Sequence, residues 1–336
     1  MSRNNLLLKD DLPVLVESRR SGVVECKHRG SIVVVENGKV VQSIGNPHVV
    51  TPMRSTAKPF QILPLLKLGG ADYYYLSPRE IAVMVSSHNG EDTHVNTIRS
   101  LLNKASLEEK QLMCGTHPAY FQWITQSVFK KTGEDVKPIH NNCSGKHTGM
   151  LLLCKLQNIS IENYWEYDHP IQQLLINAIS KIINIDAKDL SIGVDGCGVP
   201  TYNIELIQLA HAYYALSDPT NSPFCEYLEL VGKSMMAEPF MVGGSDRLDS
   251  DLMQHEPVIA KVGSEGIYCV SIPDKKMSIA IKIESGSEEA ACCAAVEMLK
   301  KLGVISDKTV SLLEKYWHRP IITFTGIEIG SYQPVF

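Results

Sequence analysis

Hydrophobic positions along the chain first alternate, then recur at helical spacing, then alternate again. Over 23–43, Val23-Val24 and Ile32-Val33-Val34-Val35 are β-branched runs, and Asn37-Gly38 is a strong turn signal before Val40-Val41. That pattern predicts a β-hairpin. From Ser55 onward, Phe60, Ile62, Leu63, Leu65 and Leu66 describe a dense apolar helix that runs to Gly69-Gly70, with Pro64 as a kink. Ser77-Pro78-Arg79-Glu80 reads as a capping box with proline at the first helical position, opening a short apolar helix over 81–85. Apolar faces at a 3.6-residue period predict helices over 93–105, 121–130, 147–156, 170–183 and 204–216. A short strand over 191–194 ends in the glycine-dense stretch Asp195-Gly196-Cys197-Gly198-Val199-Pro200. The region after the 204–216 helix, to about 256, reads as loop-rich. Alternation returns over 258–263, 267–272 and 277–283, an antiparallel meander with Pro273-Asp274-Lys275-Lys276 as one turn, followed by an Ala- and Glu-rich helix over 287–302. No repeat, low-complexity tract or linker interrupts the chain. The pattern predicts a single α+β unit: an antiparallel sheet built from both chain ends (about 12–50 and 256–336), with helices packed on it and a helical region (about 52–255) inserted between.

Composition narrows the class. With 336 residues and 44% hydrophobic content, the chain has enough apolar side chain for a large core. Its formal net charge of −5 is spread over interspersed acids and bases, with no Lys/Arg run to suggest a nucleic-acid partner. No apolar run reaches membrane-spanning length, and the N-terminal apolar stretch is too short for a signal peptide, so a cytoplasmic location is expected. Nine scattered cysteines form no disulfide-like framework and read as reduced thiols, a few of them metal-bound at most.

The candidate chemistry begins at Ser55 and Lys58. Three residues apart on a helix, the two side chains share one face. Pro59 sets the helix start close by, and the positive end of the helix dipole favours a serine oxyanion and disfavours a charged lysine. This suits Ser–Lys nucleophilic chemistry, in which a neutral lysine takes the serine proton. An N-cap serine beside a solvated lysine has the same spacing, so the motif says little by itself. Two further signatures follow: Ser87-His88-Asn89 after another helix, and Lys261-Val262-Gly263 on a late strand. Together they resemble, in order, the S-x-x-K, S-x-N and K-[ST]-G signatures of serine β-lactamases and penicillin-binding proteins. Val262 departs from the hydroxyl residue expected there, which argues for a different substrate.

Longer blocks carry a closer resemblance. Arg54-Ser55-Thr56-Ala57-Lys58-Pro59-Phe60-Gln61, Ser86-Ser87-His88-Asn89-Gly90-Glu91, Cys114-Gly115-Thr116-His117-Pro118, Asn142-Cys143-Ser144-Gly145-Lys146-His147, Asp195-Gly196-Cys197-Gly198-Val199-Pro200 and Lys261-Val262-Gly263-Ser264-Glu265-Gly266 closely resemble the asparaginase II family, the rhizobial-type L-asparaginases. The resemblance runs from about Leu12 to the C-terminal strands. It implies a β-lactamase-like fold, often dimeric, that hydrolyses L-asparagine to L-aspartate and ammonia. It also implies two Ser–Lys pairs, Ser55–Lys58 and Ser87–Lys261, and zinc held by Cys143, Lys146 and Cys197. The spacing of the two cysteines is not the paired C-x-x-C of structural zinc sites, and by residues alone two buried structural thiols explain them as well. Zinc, if bound, is expected to orient the amino-acid end of the substrate. Arg54, His147 and Asp195 each adjoin a motif residue and, with Asn89, are candidates for substrate binding. Ordinary loop salt-bridging is their plainer reading.

Amide hydrolysis by such a pair needs a lysine that is substantially neutral near pH 7. A free lysine titrates near ~10.4 and a useful base near ~7–8, a gap of about 4 kcal/mol. Burial, a helix N-terminus and a second cation can close that gap together. Two rival classes remain at this level. One is another Ser–Lys hydrolase of the same fold, a β-lactamase, D,D-peptidase or esterase. The other is a non-catalytic amino-acid sensor, which leaves Ser55, Lys58, Ser87 and Lys261 without a purpose.

Overall fold

The computed structural model describes residues 12–117 and 136–336, and the helix expected over 121–130 lies outside them. The chain opens with β1 (Val14–Arg20), β2 (Val23–Glu36) and β3 (Lys39–Ile44). Ser21-Gly22 and Asn37-Gly38 join them, and all four residues have φ between +49° and +83°. Tight hairpin turns of the type that matches strand twist require such left-handed pairs. The expected hairpin is present, but β2 is one continuous strand: its second half lies between β3 and β9, and its first half pairs with β1, which the pattern of apolar residues did not announce. Polar residues such as Glu17, Arg19 and Lys27 hide that pairing at the sequence level.

Strands β7 (Ile259–Gly263), β8 (Ile267–Ile272), β9 (Met277–Ile283), β10 (Pro320–Ile322) and β11 (Glu328–Pro334) come from the other chain end. Among the described residues they join the first three in an eight-stranded sheet ordered β10-β11-β1-β2-β9-β8-β7, with β3 beside β2. The pairings are antiparallel. Every residue of β7 and β8 is buried, because helices cover both faces of the sheet there. Helix Glu288–Lys301 covers one face with Ala290, Ala291, Ala294 and Ala295 buried, small side chains that let it lie close. Helix Leu206–Ser217 covers the other face. Two buried hydroxyls pin it to the sheet, Ser271 donating to Tyr213 O at 2.6 Å and Ser278 to Ala210 O at 2.7 Å. A three-stranded sheet, β4 (Val50–Pro52), β6 (Pro200–Glu205) and β5 (Ser191–Val194), lies apart from the large one.

Two expectations need correction. The helix predicted over 204–216 begins at Leu206, because Tyr202 and Ile204 belong to β6 and pair with β4 and β5. The region to about 256 is not loop-rich. It holds helices Cys225–Ala237 and Leu248–His255, the first burying Leu228, Val231 and Met235 at helical spacing. Most of their turns are polar, which masked the narrow apolar stripe. The dense helix after Ser55 is segmented as Pro64 suggested, into Lys58–Gln61 and Leu63–Lys67. The capping box is present, with Ser77 N donating to Glu80 at 2.8 Å ahead of helix Pro78–Met84. Among the described residues no helix is long and apolar enough to cross a membrane.

Two helices meet with almost no space between their backbones. Helix Ser144–Leu156 crosses helix Pro78–Met84 so tightly at Gly145 that a Cβ there would sit 2.0 Å from the Val83 carbonyl oxygen. The contact holds the helix that follows Cys143 and carries Lys146 against the end of the helix that leads into Ser86 and Ser87. Gly145→Ala is therefore expected to destabilise the fold by about 1–3 kcal/mol through overpacking. Thermal denaturation checks this, and an unchanged melting temperature would mean the crossing has slack.

Candidate active site

Ser55 lies in the short 3-10 turn Arg54–Ala57, immediately before the helix that starts at Lys58 with Pro59 in its first turn. Arg54 enters the turn with φ +50°, a conformation that costs a non-glycine residue energy and is found mainly where surrounding structure enforces it. Lys58 is 1% exposed, but its ammonium does not reach Ser55. It donates instead to Ser86 O at 2.6 Å, Asn142 O at 3.0 Å and Ser87 Oγ at 3.1 Å. Two carbonyls supplied by other elements outcompete the neighbour on its own turn. The Ser55 hydroxyl makes no hydrogen bond among the described residues.

Ser87 is the point of convergence. It follows helix Pro78–Met84 and is held by its backbone N–H, which donates to Val242 O at 2.9 Å. Lys261, midway along β7 and 0% exposed, approaches its Oγ from the other side at 2.8 Å. Lys261 also donates to the Val262 carbonyl at 3.1 Å. Burial lowers the pKa of both lysines. For Lys261 the loss of solvent outweighs the pull of Asp249, and Lys58 and Arg247 add to the lowering, which brings it to about 7.

Asp249, in the first turn of helix Leu248–His255, was not singled out from the sequence. It is 1% exposed, accepts from Val262 N at 3.1 Å and stands 3.8 Å from the Lys261 ammonium. The charged string Asp246-Arg247-Leu248-Asp249-Ser250-Asp251 reads as a solvated surface. The only clue was the apolar pair Leu252-Met253 just beyond it, which turns one face of that helix inward.

A second cluster lies on the far side of Asn142. Ligand atoms of Cys143, Asp195 and Cys197 all fall within 4.8 Å of one another. Lys146 Nζ is 3.0 Å from Cys197 Sγ and 3.3 Å from Asp195 Oδ2. Cys143 Sγ donates to Asn142 Oδ1 at 3.2 Å; the neighbouring Cys197 sulfur pushes Cys143 well above the usual thiol range, and Cys197, beside Cys143 and Lys146, is lowered to about 6. Burial opposes a charge on Lys146, but Cys143, Cys197 and Asp195 outweigh it and raise its pKa. Two sulfurs and a carboxylate in this compass fit zinc by softness and by number. Of the ligands expected, Cys143 and Cys197 are together and Lys146 touches Cys197, while Asp195, expected at the substrate, stands among them.

The other candidates are placed unevenly. Arg54 pairs with Asp195 at 2.8 Å. Asn89 faces the cavity, but its Nδ2 is engaged with Ser245 O at 2.8 Å. His147 points away from the serines, its Nδ1 2.7 Å from Tyr164 Oη, and burial lowers its pKa to about 3. His88, beside Ser87, accepts from Gly90 N at 3.0 Å through Nδ1, so Nε2 carries the hydrogen and meets Ser144 Oγ at 3.0 Å. That bond ties the Ser87 turn to the helix bearing Cys143 and Lys146. Of the remaining cysteines, Cys114, Cys154, Cys269, Cys292 and Cys293 are buried as small hydrophobes, whereas Cys26 is exposed and Cys225 partly so.

Ser55, Ser87 and Asn142 open onto one polar cavity of about 580 Å³. Its walls can admit a small amide to a hydroxyl flanked by two lysine amines, which is the equipment for acyl transfer.

The family profile described as L-asparaginase II matches residues 16–334. No curated protein matches the chain. Among solved structures, a Bacillus glutaminase is similar over 82% of this chain and 91% of its own, at 12% identity and a TM-score of 0.38. A protein from Bacteroides dorei DSM 17855, provisionally described as a beta-lactamase, is similar over 81% and 93%, at 10% identity and a TM-score of 0.41. Likeness at these scores is one of loose overall path, and the site stands on this chain's own geometry.

Asp249 favours the charged form of Lys261. If neutral Lys261 is the active form, activity rises as pH climbs through its pKa. Asp249→Asn removes the charge that holds the proton, so the acid limb of kcat/KM is expected to move to lower pH. A pH–rate profile checks it; a limb that stays or moves to higher pH would contradict the coupling.

Proposed function

The chain belongs to the L-asparaginase II family, and from that premise we propose that it is an amidohydrolase that converts L-asparagine to L-aspartate and ammonia by Ser–Lys nucleophilic catalysis. The observation that carries this reading is the Ser87 hydroxyl flanked by Lys261 at 2.8 Å and Lys58 at 3.1 Å. Lys58 has three acceptors for the three protons of an ammonium. Lys261, with its pKa brought to about 7, is available as a neutral base. The hydroxyl then accepts from Lys58 and donates to Lys261, and it has one hydrogen to give. Ser87 attacks the side-chain carbonyl carbon, its proton passing to Lys261 and the charge of Lys58 steadying the oxyanion. Lys261 returns the proton to the departing ammonia. Water then splits the ester by the same route in reverse.

A second order of events is favoured by Ser55. Its hydroxyl opens onto the same cavity and is bound to nothing among the described residues, so it is free to attack while Ser87 relays its proton to Lys261. The Ser55–Lys58 spacing anticipates the same nucleophile but with Lys58 as its base and Ser87–Lys261 passing a proton to the leaving ammonia; the order here moves the base to Lys261, because Lys58 donates to Ser86, Asn142 and Ser87 instead. The Arg54–Asp195 pair complements a zwitterion, Arg54 meeting the α-carboxylate and Asp195 the α-ammonium. Zinc, held by Cys143 and Cys197 with Lys146 beside them, would supply a Lewis acid that orients the amino-acid end of the substrate.

Ammonia release from L-asparagine is expected to exceed that from L-glutamine by about a hundredfold, since the longer side chain shifts its amide away from the hydroxyl. Equal turnover, or turnover of a chromogenic β-lactam with none of asparagine, would overturn the reading. Intact-mass spectrometry separates the two serines. With Ser55→Ala, an aspartyl adduct on Ser87 supports the first order; an adduct on Ser55 in a Ser87→Ala protein supports the second. Metal analysis of purified protein is expected to find zinc, and Cys143→Ser and Cys197→Ser are each expected to lose it. Zinc-free wild type would remove the metal from the account.

A further inference from the structure

The cavity does not end at the serines. Its volume of about 580 Å³ falls within the roughly 300–1,000 Å³ typical of sites for drug-sized ligands, and an asparagine molecule would leave much of it to water. None of Arg54, Lys146, Asp195 or Cys197 lines it; from Ser55 and Ser87 the wall continues past Val262 to Arg247, Glu288, Glu289 and Arg319. On the reading proposed above, the aspartyl part of the substrate faces Arg54 and Asp195. The outer arm then lies on the side where the nitrogen leaves, and ammonia uses none of it.

The charges of this arm are not all spent on each other. Glu288 pairs with Arg247 at 3.4 Å, and Asp246 with Lys315 at 2.9 Å. Arg319 has no ion-pair partner among the described residues, and Glu289 is bonded by the Ser287 hydroxyl at 3.0 Å, with no cation paired to it among them. A guanidinium and a carboxylate left on one polar wall suit a ligand bearing both charges, and a guanidinium binds carboxylate in a planar, two-pronged fashion.

We infer that the outer arm receives a substituent on the amide nitrogen, so that the enzyme also cleaves β-aspartyl amides whose leaving group is an amino acid, with preference for a basic one. The serine oxygen forms an ester bond to the side-chain carbonyl carbon while the C–N bond breaks. The proton displaced from the hydroxyl goes to the leaving amino group. Water then splits the ester, its hydroxyl completing the aspartate carboxylate and its hydrogen returning to the serine. No other reactant is needed. The inference deepens the asparaginase reading and rests on it.

The test compares three substrates with the purified protein, following aspartate release: L-asparagine, β-aspartyl-lysine and the uncharged N-ethylasparagine. Cleavage of β-aspartyl-lysine with a kcat/KM at least equal to that for asparagine, and about tenfold or more above that for N-ethylasparagine, is the expected result. Turnover of asparagine alone overturns the inference and leaves the asparaginase reading intact. Turnover of none of the three overturns that reading itself. Equal use of the charged and uncharged substituents removes the role given to Arg319 and Glu289. Arg319→Gln, at an exposed position where folding is not at stake, is expected to lower kcat/KM for β-aspartyl-lysine about tenfold relative to that for asparagine. An unchanged ratio contradicts recognition by this arginine.

Discussion

Two lysine amines withdrawn from water against one serine hydroxyl impose the constraint on which the remainder of this structure depends. Lys58 and Lys261 are 1% and 0% exposed. A buried ammonium without partners is costly, and a protein tolerates one by pairing it, saturating it with acceptors or neutralising it. All three devices occur here. Lys58 is saturated by two carbonyls and Ser87. Lys261 is partly offset by Asp249 and partly discharged, since its pKa lies near neutrality. Lys146, nearby, is paired with Asp195 and the Cys197 sulfur. In the proposed mechanism, the contrast between a lysine saturated with acceptors and a dischargeable one would activate the serine between them.

The fold can be understood as what holds these groups in place. β7 carries Lys261 with every residue buried, so its backbone has little room to move. Helix Leu248–His255 packs on that strand and brings Asp249 to the Val262 amide, which locks carboxylate and lysine into one register. The Gly145 crossing and the His88–Ser144 bond fasten the Ser87 turn to the helix bearing the metal-type cluster. Ser87, the two lysines beside it and the cysteine cluster are therefore linked through backbone contacts and buried hydrogen bonds between elements far apart in sequence.

This division explains what could be read from residues and what could not. Local chemistry was legible: the Asn37-Gly38 turn, the Ser77–Glu80 capping box, the break at Pro64 and the late strands all follow from neighbours in sequence. Long-range choices were not. The spacing of Ser55 and Lys58 implies a pair, yet Lys58 turns to Ser86, Ser87 and Asn142, acceptors that only tertiary folding delivers. Asp195 stands with two cysteines, as nothing in its own stretch predicts beyond Cys197 two residues on. Asp249 was hidden in a charged string that looks solvated, and helix Cys225–Ala237 in a sequence with too narrow an apolar stripe.

The central claim is that Lys261 shares the Ser87 hydroxyl with a charged lysine because it can itself lose its proton near neutral pH. The direct measurement is an NMR titration of protein labelled with 13C at the lysine ε-carbons, with the Lys261 signal assigned by its loss in Lys261→Met. A lysine titrating at about 7 that vanishes in this variant is the predicted result. A Lys261 signal that titrates near the ordinary lysine value of ~10.4 would contradict the account.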